Sequence, residues 1–445
     1  MVEMSPELIT ILMFGGVLFC IFLGYPLGTV LGGVALIIGY LSLGEPIFNL
    51  FRMRLLTFVT DYVLLAVPMF IFMGVVVEKS GAAEKLYGGL YTWFGGVRGG
   101  LAIATIVMGV LLAACVGVIA ASVITMGLIA LPSMIKRKYS KELACGTVCA
   151  AGSLGILIPP SVMLVLYGPM AGISVGKLLI GAIVPGLILA GLYLIYTVIR
   201  CWLSPEMAPP IPIEERAIPL SKKINILVTG ILPPLFLITA VLGSIFFGIA
   251  APTEAAAVGC VAAVLLGFAY RHFNWQTLKE STLQTIKVTC MAFFIAFGAT
   301  MFTGAFLKLG GGDVVTNLLL SAPGGRWGVF TLIMFIIFIL GMFIDWIGIL
   351  FITVPLITPI GNTLGFDPLW FAMMVCVNLQ MSFLTPPFAY AIFYLKGIAK
   401  PEWEIDTGHI IRGVIPFVLL ILVGLGLLIL FPQLILWLPR LMVKF

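Results

Sequence analysis

A chain of 445 residues that is 62% hydrophobic and only 9% charged cannot fold as a soluble domain. Uncharged apolar runs longer than the roughly 18 residues needed to cross a bilayer recur from end to end, so the fold class is an all-α polytopic membrane protein. The formal charge of +6 is scattered among short loops, which argues against a nucleic-acid surface and fits the lysine and arginine that membrane proteins keep on the cytoplasmic side.

The N-terminal flank is acidic (Glu3, Glu7) and the first apolar run continues past Tyr25-Pro26 into a second, as a retained span does and a cleaved signal peptide does not. Spans are expected near 8–24, 26–43 and 55–78, and residues 1–80 form an N-terminal scaffold. A glycine-rich stretch, Gly81 to Gly100, opens the next unit, 81–172. From Gly99 to Ile135 no residue is charged, which is too long for one span and barely enough for two. The tip of that run, CVGVIAAS, is far more apolar than a solvent turn, and the run is expected to be a re-entrant hairpin.

Behind the hairpin comes GSLGILIPPSVMLVLYG with Pro159-Pro160 at its centre. Each proline removes a backbone donor and clashes with the preceding turn, so a membrane helix must break there. Residues 173–275 supply central scaffold helices and a Pro-rich linker, Ser204 to Lys223, followed by two spans divided at Ala251-Pro252; Glu254 is expected to cap the second of these. The unit 276–400 holds a long segment to about 308, a second uncharged run from Trp327 to Phe366 interrupted only by Asp345, and a second break at Pro386-Pro387 in LQMSFLTPPFAYAIFYL. Residues 401–445 form a C-terminal scaffold helix.

The two units align at a single offset of 227: Pro132 with Pro359, Pro159 with Pro386, Pro160 with Pro387 and Tyr167 with Tyr394. With the N-terminus outside and both runs as hairpins, seventeen basic residues fall inside and seven outside. The hairpins then enter from opposite faces, and the repeats are inverted about an axis in the membrane plane. Paired broken helices in inverted repeats point to a transporter's binding site, because helix ends converge there.

Candidate cation ligands are Gly117, Ser122 and Ser153 in the first repeat and Asp345, Asn378, Gln380 and Thr385 in the second. The breaks themselves, Ile158, Pro159, Pro160 and Ser161 with Thr385, Pro386 and Pro387, are candidates to face substrate, and Ser161 also offers a hydroxyl to a cation. Asp345 carries the most weight, since an acid at membrane depth needs a cation and no basic residue lies mid-span; sodium or a proton fits. A small anion would be held by helix N-termini and hydroxyls rather than by a guanidinium. The eight cysteines all lie in or beside apolar segments; Cys145 and Cys149, one turn apart, have no nearby histidine and read as buried thiols.

The strings GSLGILIPPS, FGIAAPTEAAAVG and LQMSFLTPPFAYAIFYLKG, in that order and spacing, resemble the large membrane (permease) subunit of the tripartite ATP-independent periplasmic (TRAP) transporters, nearest the branch labelled for mannitol or chloroaromatics. The resemblance implies an elevator-type secondary transporter of the bacterial inner membrane that takes up a small organic acid on sodium ions. It also implies a small four-helix membrane subunit and a periplasmic substrate-binding protein as partners. One departure is the first hairpin, where ACVGVIAAS replaces a Ser-Gly-Ser-rich tip and leaves backbone carbonyls and Ser122 as donors. A stand-alone sodium- or proton-coupled carboxylate carrier is the alternative. The linker suits no ATPase coupling helix, and two loop histidines assemble no catalytic cluster.

Overall fold

In the computed structural model, which describes residues 4–212 and 219–442, the chain is a bundle of helices with three-residue and four-residue 3-10 turns between some of them. Glu3, Arg216 and Lys444 of the charge count, and part of the linker, lie outside the described residues.

The N-terminal helices are α1 (Pro6–Phe22), α2 (Leu27–Leu43), α3 (Pro46–Val59) and α4 (Ala66–Lys79). The third expected span is thus divided. Asp61 accepts a 2.9 Å hydrogen bond from Val63 N and starts a new helical segment, Tyr62–Leu65 running into α4. The Gly-rich stretch is itself helical, α5 (Ala82–Phe94), because Ala82, Ala83, Leu86, Tyr87 and Leu90 recur on one buried face.

The first hairpin is α6 (Gly100–Val116) and α7 (Ile119–Lys136); the first broken helix is α8 (Lys141–Ser153) and α9 (Val162–Ala171), followed by α10 (Val175–Leu203). After α11 (Leu220–Phe246) and α12 (Pro252–Ala269) come α13 (Trp275–Lys308) and α14 (Gly311–Leu320). The second hairpin is α15 (Gly325–Gly341) and α16 (Trp346–Thr363), the second broken helix α17 (Pro368–Ser382) and α18 (Tyr390–Ile398). The last apolar run splits at Pro432 into α19 (Thr407–Leu430) and α20 (Gln433–Arg440). Glu254 Oε2 takes the Ala251 N–H at 2.9 Å, the expected cap.

The duplication extends well beyond the prolines. Moving α7 by 227 positions gives the bounds of α16 at both ends, α8 moves onto the start of α17, and α10 onto the C-terminal end of α19. Between α4 and its counterpart in α13 the chain crosses four times, through α8–α9, α10, α11 and α12, so counterpart helices run in opposite directions. The inverted repeats follow from that count. Surface pairs agree with the sidedness: Lys79 meets Glu280 at 2.7 Å and Lys85 sits 3.9 Å over the Tyr270 ring on the expected inside, while Arg326 lies 4.8 Å from the Phe366 ring on the outside.

Contacts sort the helices into two groups. The outer group joins α4 to α12 and α13, α2 to α13, and α5 to α11. The inner group joins the hairpins to the broken helices, with α19 along α8 and α17 and α10 along α6, α9 and α19. Tyr193 and Tyr196 of α10 meet Phe417 of α19 edge-on at 5.2 and 5.3 Å, an arrangement that adds about 1 kcal/mol per pair beyond burial. Each group contains a crossing close enough to need glycine: a Cβ on Gly146 of α8 would strike the Gly413 carbonyl of α19, and one on Gly298 of α13 would strike that of Gly28 in α2. The seam between the groups holds a cleft of about 430 Å³ between α3 and α13 on one side and α9 and α16 on the other.

Candidate functional site

Each hairpin tip docks on the break of its own repeat. At the first tip Gly117 has φ of 66°, a conformation glycine adopts without strain, and a Cβ there would lie 3.3 Å from the Pro160 carbonyl oxygen. One turn into α7, the Ser122 hydroxyl rests over Gly155, between Ser153 and the proline pair; it is buried and has no hydrogen-bond partner among the described residues. Ser153 closes α8 and donates to Ala150 O at 2.9 Å. Ile158, Pro159, Pro160 and Ser161 are all buried, with Ile158 against Gly186 of α10, and the Ser161 hydroxyl bonds the Ile156 carbonyl across the break. The Pro159-Pro160 and Pro386-Pro387 peptide bonds are both cis.

At the second tip, the residue aligned with Val118 is Asp345. It is the N-cap of α16, with Oδ2 accepting from Ile347 N at 3.3 Å, and Tyr390 and Tyr394 of α18 lie within its electrostatic reach. Among the described residues no lysine or arginine pairs with it. The tip is tied to the break by Phe388 N donating to Met342 O at 3.2 Å. Thr385 donates to Met381 O at 2.8 Å, which leaves its oxygen lone pairs free to accept or coordinate. Pro386, Pro387 and Phe388 are exposed, Phe388 at 47%.

The half-helix α17 carries amides on two faces. Asn378 and Ser382, one turn apart, brace α15 by donating to Met334 O at 2.8 Å and Phe338 O at 3.1 Å. Cys376 and Gln380 share another face. Gln380 is thus turned away from the face that braces α15. It is completely buried, and neither its amide nitrogen nor its oxygen has a partner among the described residues. The repeats meet at Cys149, whose Sγ lies 3.6 Å from the Ala391 carbonyl of α18.

The structure thus gathers Gly117, Ser122, Ser153 and Ser161 at one break and Asp345 and Thr385 at the other, with Gln380 buried in α17 without a partner among the described residues and Asn378 set aside as a brace. A buried amide or hydroxyl that meets no protein partner, water or ligand costs about 1–3 kcal/mol. No site residue is a cationic side chain, so an anion here would meet helix N-termini and hydroxyls. Sequence reasoning passed over Glu78, which stands beside Lys79 at the end of α4; its carboxylate turns inward to Thr125 of α7, 3.2 Å away.

Residues 14–434 match the family described as "Tripartite ATP-independent periplasmic transporter, DctM component". This chain belongs to that family. Among curated relatives, the C4-dicarboxylate TRAP transporter large permease of Vibrio cholerae is 31% identical over 423 residues, 90% of this chain and 89% of that one. The sialic acid TRAP transporter large permease of the same organism is 28% identical over 427 residues, 96% of this chain and 97% of that one. The crystal structure of the YdaH transporter of Alcanivorax borkumensis superposes with a TM-score of 0.66 at 16% identity, covering 94% of this chain and 99% of that one, and shows a shared fold. The TRAP large permease described here is accordingly a multi-pass protein of the bacterial inner membrane and a transporter subunit, not an enzyme.

Proposed function

We propose that this permease imports a small organic acid anion, driven by sodium ions, with substrate delivered by a periplasmic binding protein and a small four-helix membrane subunit docked to the outer helices. The observation that carries the reading is the pair of hairpin tips seated on two broken helices in inverted repeats, with Ser122 and Gln380 buried and unpartnered beside them. Organic acids in the names of two relatives support the substrate class and leave its member open. Asp345 and Thr385 supply oxygen to a hard cation, as do the carbonyls freed at the breaks, and a cation there offsets the charge of an anion held at helix N-termini.

The inner group is the part that moves in this reading, sliding as one body along the outer group. The packing of α10 and α19 on the broken helices argues that they travel with it, although the sequence division had assigned 173–275 and 401–445 to the scaffold. The test is uptake into proteoliposomes holding the permease, its small subunit and the cognate binding protein. Accumulation that needs both an inward sodium gradient and the binding protein is the expected result. Accumulation without the binding protein would favour the stand-alone carrier, and accumulation without sodium would remove the cation site.

A further inference from the structure

Glu78 belongs to the outer group and touches the inner one. Its Oε1 accepts a 3.2 Å hydrogen bond from Thr125 Oγ1 of α7, while Oε2 is buried with no partner among the described residues. The neighbouring Lys79 is turned away, 2.7 Å from Glu280 at the start of α13. A carboxylate held this way at a seam is costly, and its one bond from hairpin 1 is its principal compensation.

Thr125 follows Ser122 by three residues, so both lie on one face of α7. Ser122 is the hydroxyl that covers Gly155 ahead of the first proline pair. The grip of Glu78 is therefore one turn from the first break. The related interface in the second repeat is built differently: Glu78 aligns with Ala305 and Thr125 with Ile352, and the contact is made by Thr303 Oγ1 of α13 donating to the Phe351 carbonyl of α16 at 2.9 Å. Each hairpin has a polar tie to the outer group, and the tie of hairpin 1 ends on a carboxylate.

We propose that Glu78 is a positioning residue for hairpin 1, holding α7 against α4 in this conformation and releasing Thr125 whenever the inner group shifts. The proposal rests on the two-body reading above. It is tested in the complete transporter by uptake rates and by distances between spin labels at the exposed Leu128 of α7 and Leu283 of α13, with accessible native cysteines replaced by serine. Glu78→Ala and Thr125→Val should each change the uptake rate and the population ratio of the short and long label distances by about three- to tenfold, the range expected for the loss of one ordinary hydrogen bond. The double variant should do no more than either single one, because both remove the same bond. Glu78→Gln keeps the accepting oxygen and Thr125→Ser the hydroxyl, and both should restore the wild-type ratio.

Multiplicative single effects, or a Gln variant as impaired as the Ala variant, would overturn the proposal. Two distances whose populations are the same in wild type and Glu78→Ala would overturn the positioning role alone. A single distance in every condition would overturn the two-body reading along with it.

Discussion

Break 1 and break 2 share the same covalent motif and differ in their surroundings. Pro159, Pro160 and Ser161 are sealed inside the protein, with the Ser161 hydroxyl stitched to the Ile156 carbonyl; Pro386, Pro387 and Phe388 stand open. The hairpins differ in the same sense: tip 1 turns on a glycine, whereas tip 2 starts its inner helix on a carboxylate. Inverted repeats can therefore be equal in backbone and unequal in labour. Break 1 is closed within the core, and break 2 lies at the surface.

The sharpest way to break that comparison is Asp345→Asn. If the second tip carries the chemistry, sodium-driven uptake should fall by about a hundredfold, the loss of a charge-assisted contact to the ion, with the protein still folded. Unchanged uptake would return Asp345 to the role of helix cap. Gln380→Leu comes next: removing a bare buried amide should leave thermal stability equal or higher, yet cut uptake about tenfold if the amide serves a ligand. A stabilised variant with normal uptake would make Gln380 a packing residue. Thr385→Val should raise the sodium concentration for half-maximal uptake about threefold, the scale of one modest oxygen contact; an unmoved sodium curve places the ion elsewhere. The smallest transport effect is expected of Ser161→Ala, which should lower stability by about 1 kcal/mol for the lost stitch while uptake per folded molecule stays within about twofold. A large uptake defect without destabilisation there would erase the distinction between the breaks.

Much of the fold could be read from the chain because its signals are covalent. Proline pairs impose breaks whatever surrounds them, and uncharged runs of a given length leave few routes through a bilayer. That is why the bounds of α7 and α16 fall where the offset of Pro132 and Pro359 puts them. Burial is not covalent in this way. Nothing in two Pro-Pro pairs distinguishes the sealed break from the open one, nor separates Asn378, which braces α15, from Gln380, which has no partner among the described residues. The direction of a side chain decides such cases, and it depends on which neighbouring helix arrives at which face. Glu78 escaped notice for the same reason, and α5 because glycines concealed an apolar stripe.

The two glycine crossings have a mechanical consequence. Where α8 meets α19 at Gly146 and Gly413, and α2 meets α13 at Gly28 and Gly298, main chains touch with no side chain between them to yield. Such joints resist shear, so any sliding plane must run elsewhere. The boundary that carries the Thr125 and Thr303 hydroxyl bonds has an open cleft along it and no such glycine joint between its two groups' crossing helices at those bonds, so the motion proposed above would run there.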